Sequence, residues 1–466
     1  MVGVLEWFAL KLGELVLKVK GSLVTLRGIS EFMEDYPLDE ILLKAIKGSE
    51  GVYPFGELAT YGAALLGATV HRKGYPRFLT MDDLVLTPPA FTPKRLEKMA
   101  ELLREPVFTD VNLETSIGGL KSSMPLVVGT MGSTDIASRY SLVIARAAAK
   151  EGIPYGIGEN VHTIRGYDRR LTRGHPSFKE RVMAYLTNID KYGGVIIQQN
   201  VEDAYDEHWN KVYSDKDLEP YLDEGRVAFE IKVGQGAKPG LGGVIKMRKE
   251  EAVKVKEKYH FLEDPAEART AWVERYSAPG TYTADILRGM IRLMKTSYPR
   301  AKVWIKVGPF RDVLEVVKVS YEEGADAVII DGKEGGTGMA PSVAMKELGY
   351  PTVVGLAKIR KARLMGVDDR MSLLLAGRLF NGAHIVKARA LGATAIYVGR
   401  PFIVAAMVKD EAGVRNFIEA TRVETQMIVS ALGKYSIGDV SPEDVASLNR
   451  DLASALGVPY VYSGEP

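Results

Sequence analysis

A (β/α)8 (TIM) barrel with an N-terminal, mainly helical extension is the fold class this sequence predicts, on three observations. Eight short apolar runs recur at 125–131, 153–157, 194–198, 227–233, 302–307, 327–331, 371–376 and 395–398. Stretches with helical spacing separate most of them, as at 135–151, 283–296, 311–324 and 382–391. Several runs end in glycine-rich or polar residues, where a barrel of this kind carries its ligand-binding loops. Eight strands alternating with helices is the count for a closed barrel. An open doubly wound sheet is the competing arrangement, but no G-x-G-x-x-G follows the first run.

Residues 1–75 read as the extension and 76–466 as the barrel domain. Leu5, Phe8, Leu12, Leu15 and Val19 share one face of an amphipathic helix. That face suits packing on the barrel itself, on a partner subunit or in a homo-oligomer, and Lys11, Lys18 and Lys20 would suit an anionic membrane surface less favourably. Charges at Glu6, Lys11 and Glu14 break the apolar start, so neither a membrane span nor a cleaved signal is expected, and the protein is expected in the cytoplasm. From Arg77 the chain turns to extended, proline-containing segments that lead into the first long strand.

Composition narrows the chemistry. The 61 basic and 59 acidic residues leave a formal charge of +2, which asks for no nucleic-acid partner; a small-molecule substrate is expected instead. With 466 residues and no cysteine, the chain cannot form disulfides, thiolate nucleophiles or cysteine-ligated clusters. The six histidines show no metal-ligand spacing, and no metal site is expected.

The fourth run, Val227-Ala228-Phe229 with Ile231 and Val233, feeds Gly234-Gln235-Gly236-Ala237-Lys238-Pro239-Gly240-Leu241-Gly242-Gly243. Glycines at this density let backbone approach a ligand closely, Pro239 stiffens the turn, and Lys238 places one cation. A plain flexible connection is the bland reading of these residues alone. In Val303-Trp304-Ile305-Lys306-Val307 a lysine interrupts an apolar strand, which is costly unless it is paired. The sixth run ends Asp331-Gly332-Lys333-Glu334-Gly335-Gly336-Thr337-Gly338-Met339-Ala340-Pro341.

The ordered Q-G-A-K-P-G-x-G-G string and the G-x-x-G-G-T-G-x-x-P string resemble the synthase domain of glutamate synthases, a flavin-binding (β/α)8 barrel. The resemblance covers about residues 75 to 440 and implies FMN as cofactor. It places Thr130, Met131 and Gly132 under the flavin ring, Gln198 against the pyrimidine edge and Lys306 facing N1 and the C2 carbonyl. It gives Gly335, Gly336 and Thr337 to the loop after the sixth strand, and Gly377, Arg378, Gly399 and Arg400 to the phosphate. Lys238 would hold a 2-oxo acid or imine, and Glu159 roughly matches an acidic residue that would relay a proton.

Departures limit the substrate. The family's S-P-P-P-H-H-D segment corresponds to Ser277-Ala278-Pro279-Gly280-Thr281-Tyr282, without its histidines and aspartate, and Glu250 to Arg275 form a charged insertion without counterpart. The seventh end reads Ala376-Gly377-Arg378 where relatives have D-G-G, so the aspartate for the ribityl chain is missing. The cysteines of an iron–sulfur cluster and the glutaminase domain are also missing. Three classes stay open: an FMN oxidoreductase acting on an amino or imino acid or related small acid by hydride transfer at flavin N5; an FMN subunit of a redox-neutral transferase of the methylamine–glutamate N-methyltransferase kind; and a non-catalytic barrel subunit of a complex.

Overall fold

The computed structural model describes residues 79–463, apart from 173, 235–242, 258, 278–281, 336–343 and 345–346. The expected extension, with its amphipathic helix, lies outside the described residues.

Eight parallel strands close into a barrel: β1 Leu126–Met131, β2 Tyr155–Ile157, β3 Val195–Gln199, β4 Val227–Lys232, β5 Lys302–Val307, β6 Ala327–Asp331, β7 Ser372–Ala376 and β8 Ala395–Val398. All eight coincide with the apolar runs to within two residues. β8 pairs with β1 through Ile396 opposite Leu126, which closes the ring. The crossover helices are α1 Asp135–Lys150, α2 Phe178–Leu186, α3 His208–Tyr213, α4 Ala284–Ser297, α5 Val313–Glu322, α6 Thr352–Leu364, α7 Gly382–Ala390 and α8 Arg400–Ala431. Local signals start several of them. Ser177 and Glu180 form a capping box on α2, and the Thr283 hydroxyl accepts from the Ile286 amide of α4. α8 is broken at Lys409 and Asp410, whose backbone is not helical.

Strand side chains alternate between two cores. The outward set packs under the helices, while Val127, Ile196, Ala228, Trp304, Ala327, Ile329, Leu374 and Ala395 fill the barrel itself. The hairpin Thr115–Ser122 belongs to this inner core: Ile117 and Leu120 are fully buried in it, and the Trp304 indole donates to the Gly118 carbonyl at 3.0 Å. This hairpin therefore stoppers the N-terminal end and leaves the strands' C-terminal ends as the side from which a ligand enters.

Between β4 and α4 the described residues of the charged insertion contribute to a small sheet. Gly243–Arg248, His260–Phe261 and Trp272–Ser277 form an antiparallel three-stranded sheet with Trp272–Ser277 in the middle. Met247, Ala252, Val255, Tyr259, Ala268 and Val273 give it a small core that includes Ile164 from the segment after β2. Charged residues dominate its sequence because most of so small a sheet remains surface.

Candidate functional site

Strand ends supply a buried polar layer immediately above the inner apolar core. Trp304 and Lys306 are two residues apart on β5, so both face inward; the same parity puts Ala228 and Glu230 inward on β4, and Ile196 and Gln198 on β3. Glu230 is completely buried. Its carboxylate accepts from the Tyr397 hydroxyl of β8 at 2.8 Å, from the Thr130 hydroxyl of β1 at 3.2 Å and from the Gln198 amide. Gln198 donates a second time, to Thr130 Oγ1 at 3.0 Å, and the Thr130 amide donates to the Tyr397 oxygen at 2.9 Å. Lys306 is also buried, with its ammonium 3.8 Å from Asp331 Oδ2 on β6 and 5.0 Å from the centre of the Tyr397 ring. Burial pushes the Glu230 pKa up, and the Lys306 charge and the three donors oppose that rise.

Thr130 reaches this layer through an irregularity. The β1–β2 register shifts between Val128 and Met131, a bulge that re-aims the strand end, and two β2 glycines accept the crowding. A Cβ on Gly156 would lie 2.7 Å from the Thr130 amide nitrogen, and one on Gly158 would lie 2.6 Å from that of Gly132. Two buried arginines brace the following turn: Arg181 donates to the Gly132 carbonyl at 3.3 Å and Arg165 to the Ser133 carbonyl at 3.1 Å. Burial pulls the Arg181 pKa down to about 10, and Arg165 pairs with Asp135 at 2.7 Å.

Beside the polar layer, Glu159 follows β2 and forms an ion pair with Lys232, the last residue of β4. Both are largely shielded from solvent. Next to them Asn160, in left-handed backbone, takes a hydrogen bond from the Tyr259 hydroxyl of the inserted sheet at 2.7 Å and donates its amide to Asp203 at 2.8 Å. Burial pushes the Asp203 carboxyl up to about 7. The inserted sheet is thus fastened to the rim one residue from Glu159. His162 and His208 meet nearby at 3.2 Å, buried, with His208 pulled down to about 3 by burial.

The opposite rim is knitted from the ends of β6, β7 and β8. Glu334 accepts from the Thr352 amide and hydroxyl at 2.7 and 2.8 Å, and its carbonyl accepts from Arg400. Gly377 has φ +138°, and a Cβ there would sit 2.0 Å from Thr352 Oγ1, so no other residue fits this turn. The Arg378 amide donates to the same Thr352 oxygen at 3.1 Å, while its guanidinium pairs with Asp82 of the lead-in at 2.8 Å. At the N-terminus of α7, the Gly382 amide is taken by Glu424 at 2.8 Å and the His384 amide by Asn381 at 2.9 Å. That helix end presents engaged amides.

The fold therefore brings Thr130, Gln198 and Lys306 into one layer, sets Met131, Gly132 and Glu159 at its edge, and gathers Gly335, Gly377, Arg378, Gly399 and Arg400 on the far rim. Lys238, Gly336 and Thr337 lie outside the described residues. Sequence reasoning missed Glu230, Lys232, Tyr397 and Asp331 as site residues. The available signal for Glu230 was the same one that exposed Lys306, a charge inside an apolar strand. Among the described residues, no group of three histidine, aspartate or glutamate side chains could hold a metal ion, and no helix is long and apolar enough to cross a membrane.

Residues 218–412 match the family described as the conserved region in glutamate synthase. Over that stretch the barrel is similar to the glutamate synthase family. The archaeal-type glutamate synthase [NADPH] of Thermotoga neapolitana is 30% identical over 305 residues, covering 64% of this chain and 51% of that protein. The archaeal glutamate synthase [NADPH] of Archaeoglobus fulgidus is 33% identical over 201 residues, 40% of this chain and 35% of that one. The chain thus spans about half the length of the first of these glutamate synthases and about a third of the second. Among solved structures, a double mutant of flavocytochrome b2 with pyruvate bound superposes with a TM-score of 0.54 at 17% identity, over 95% of this chain and 97% of that one. At that identity the likeness is one of fold.

Proposed function

We propose that this barrel is an FMN-dependent oxidoreductase of the glutamate synthase type, acting on an amino or imino acid or a related small acid. The observation that carries the reading is the buried layer of Thr130, Gln198, Glu230, Lys306 and Tyr397, drawn from five strands and sited at the ligand-binding end of a family barrel. Its donor set fits the polar edge of a flavin: one cation, one carboxamide and the backbone of a tight turn. FMN bound there would supply the hydride acceptor and donor chemistry.

The chain's own residues would do the rest. The Lys306 ammonium, held beside Asp331, offers a fixed positive charge to an electron-rich ring edge without reorganising. Gln198 and the Thr130–Gly132 turn orient the ring, and the rim built on Gly377, Arg378, Gly399 and Arg400 receives its phosphate end. Glu159, paired with Lys232 at the mouth, would take or give a proton at its carboxylate, and Lys238, outside the described residues, would hold a substrate carboxylate. The inserted sheet, without counterpart in the family, leads into the segment that lacks the family's histidines, so substrate choice would follow from its contacts. We further propose that residues 1–75 are a separate helical extension and that residues 76–466 form the barrel domain.

The test is the visible spectrum of the purified full chain, release of its chromophore, and anaerobic mixing with NADPH, NADH, glutamate and other amino acids. A yellow protein that releases FMN and is bleached by one of these reagents supports the oxidoreductase. A yellow protein that none of them bleaches favours the transferase or the partner-dependent subunit, and a protein that takes up no FMN refutes the proposal.

A further inference from the structure

We propose that Glu230 is a positioning residue of this site: it fixes which atom of Gln198 meets the ligand and how much of the Lys306 charge the ligand feels. The inference rests on the FMN reading above and deepens it.

When the carboxylate is ionised, the proton count on the layer fixes the Gln198 amide. Tyr397 has a single hydroxyl hydrogen; the charged Glu230 Oε2 takes it at 2.8 Å in preference to Thr130 Oγ1, which also lies 2.9 Å from the Tyr397 oxygen. Thr130 gives its own hydroxyl hydrogen to Glu230 Oε1 at 3.2 Å, which leaves its oxygen as acceptor for Gln198 Nε2 at 3.0 Å. The second Gln198 amide hydrogen goes to Glu230 as well. A carboxylate only accepts, so the Gln198 nitrogen must face it. Both amide hydrogens are then spent on the floor of the site, and Oε1 is the atom left for a ligand. The site therefore offers an acceptor at Gln198 and selects a ring edge that carries an N–H.

Charge follows the same logic. Lys306 lies 3.8 Å from Asp331 and 5.0 Å from the centre of the ring of Tyr397, whose hydroxyl bonds Glu230, and its charge favours the ionised Glu230. Lys306 serves both carboxylates within a buried layer, so the ammonium presents only part of its field upward. Glu230 is thus the brake on the positive potential that Lys306 sets.

Two probes read the two halves. FMN and N3-methyl-FMN, which lacks the ring N–H, are titrated into the deflavinated full chain; the wild type should bind the methylated form at least about tenfold more weakly. Glu230→Leu, which frees the Gln198 amide to rotate, should discriminate less than the wild type. Glu230→Gln keeps the shape and removes the charge. In equilibrium with a reference dye its reduced-to-oxidised flavin ratio should rise about tenfold, or about 30 mV for a two-electron couple.

If Glu230→Leu does not fold, the wild-type analogue titration and Glu230→Gln still decide. A merely structural glutamate would lower FMN occupancy without moving the dye equilibrium. A wild type that takes up no FMN overturns the cofactor reading together with this inference. A wild type that binds FMN but treats both flavins alike, or a Glu230→Gln variant with an unmoved or lowered ratio, overturns this inference and leaves the cofactor reading standing.

Discussion

Removing the Lys306 ammonium should destabilise the barrel in a pH-dependent way. Lys306→Met replaces the side chain with an apolar one of similar length and leaves two buried carboxylates, Glu230 and Asp331, without their shared cation. At 3.8 Å and an effective dielectric near 20, the attraction to Asp331 alone is about 4 kcal/mol. Removing one member of a buried ion pair costs about 3–5 kcal/mol, so the two routes agree in size.

The sign with pH comes from Glu230. Its folded pKa already lies above the unfolded value, so the native state holds a proton that the unfolded state has released, and stability falls as pH rises through that window. Loss of Lys306 widens the window, because the charge that favoured the ionised form is gone. Below about pH 4.5 the native carboxyl is protonated either way and the penalty shrinks. Urea unfolding midpoints of wild type and variant at pH 5 and pH 8 test this: the gap should be larger at pH 8. An equal gap at both values, or none, would refute the coupling of Lys306 to Glu230.

Other expectations follow from the same geometry. Trp304→Ala should cost about 3–5 kcal/mol, since it empties the inner core and drops the bond to the hairpin stopper; the midpoint of thermal or urea unfolding reads it. Asp203, pushed up to about 7, should make the wild type lose about 4 kcal/mol between pH 4 and pH 7, because the folded form binds the proton more tightly; Asp203→Asn should flatten that slope in a stability–pH profile. Tyr259→Phe deletes the 2.7 Å bond to Asn160 and should loosen the inserted sheet by about 1 kcal/mol, seen as faster limited proteolysis within 243–277 while the barrel's unfolding midpoint holds.

The barrel was legible because its signals are local. Each strand is a run of buried apolar residues, each helix carries its own spacing and caps, and both survive in a linear reading. Lys306 stood out for the same reason: a cation between Ile305 and Val307 must find a partner somewhere. The strand-end motifs likewise mark residues that the fold gathers at the C-terminal end of the barrel strands.

What the sequence by itself determined, then, is the succession of strands and helices and the residues at each strand's end. Tertiary structure alone decided who meets whom. Glu230 takes its bonds from Thr130, 100 residues earlier, and from Tyr397, 167 residues later; those partners exist only because β8 closes on β1 and a bulge turns Thr130 inward. Arg378 sits next to Gly377 in a motif that suggests phosphate, yet its guanidinium goes to Asp82, 296 residues away, because the lead-in packs across that rim. The inserted segment reads as charge and length, and only its pairing into a sheet brings Tyr259 onto Asn160 beside Glu159. Local pattern is written in the chain because burial and backbone bonding act on neighbours; contacts across the barrel depend on closure, which no single stretch encodes.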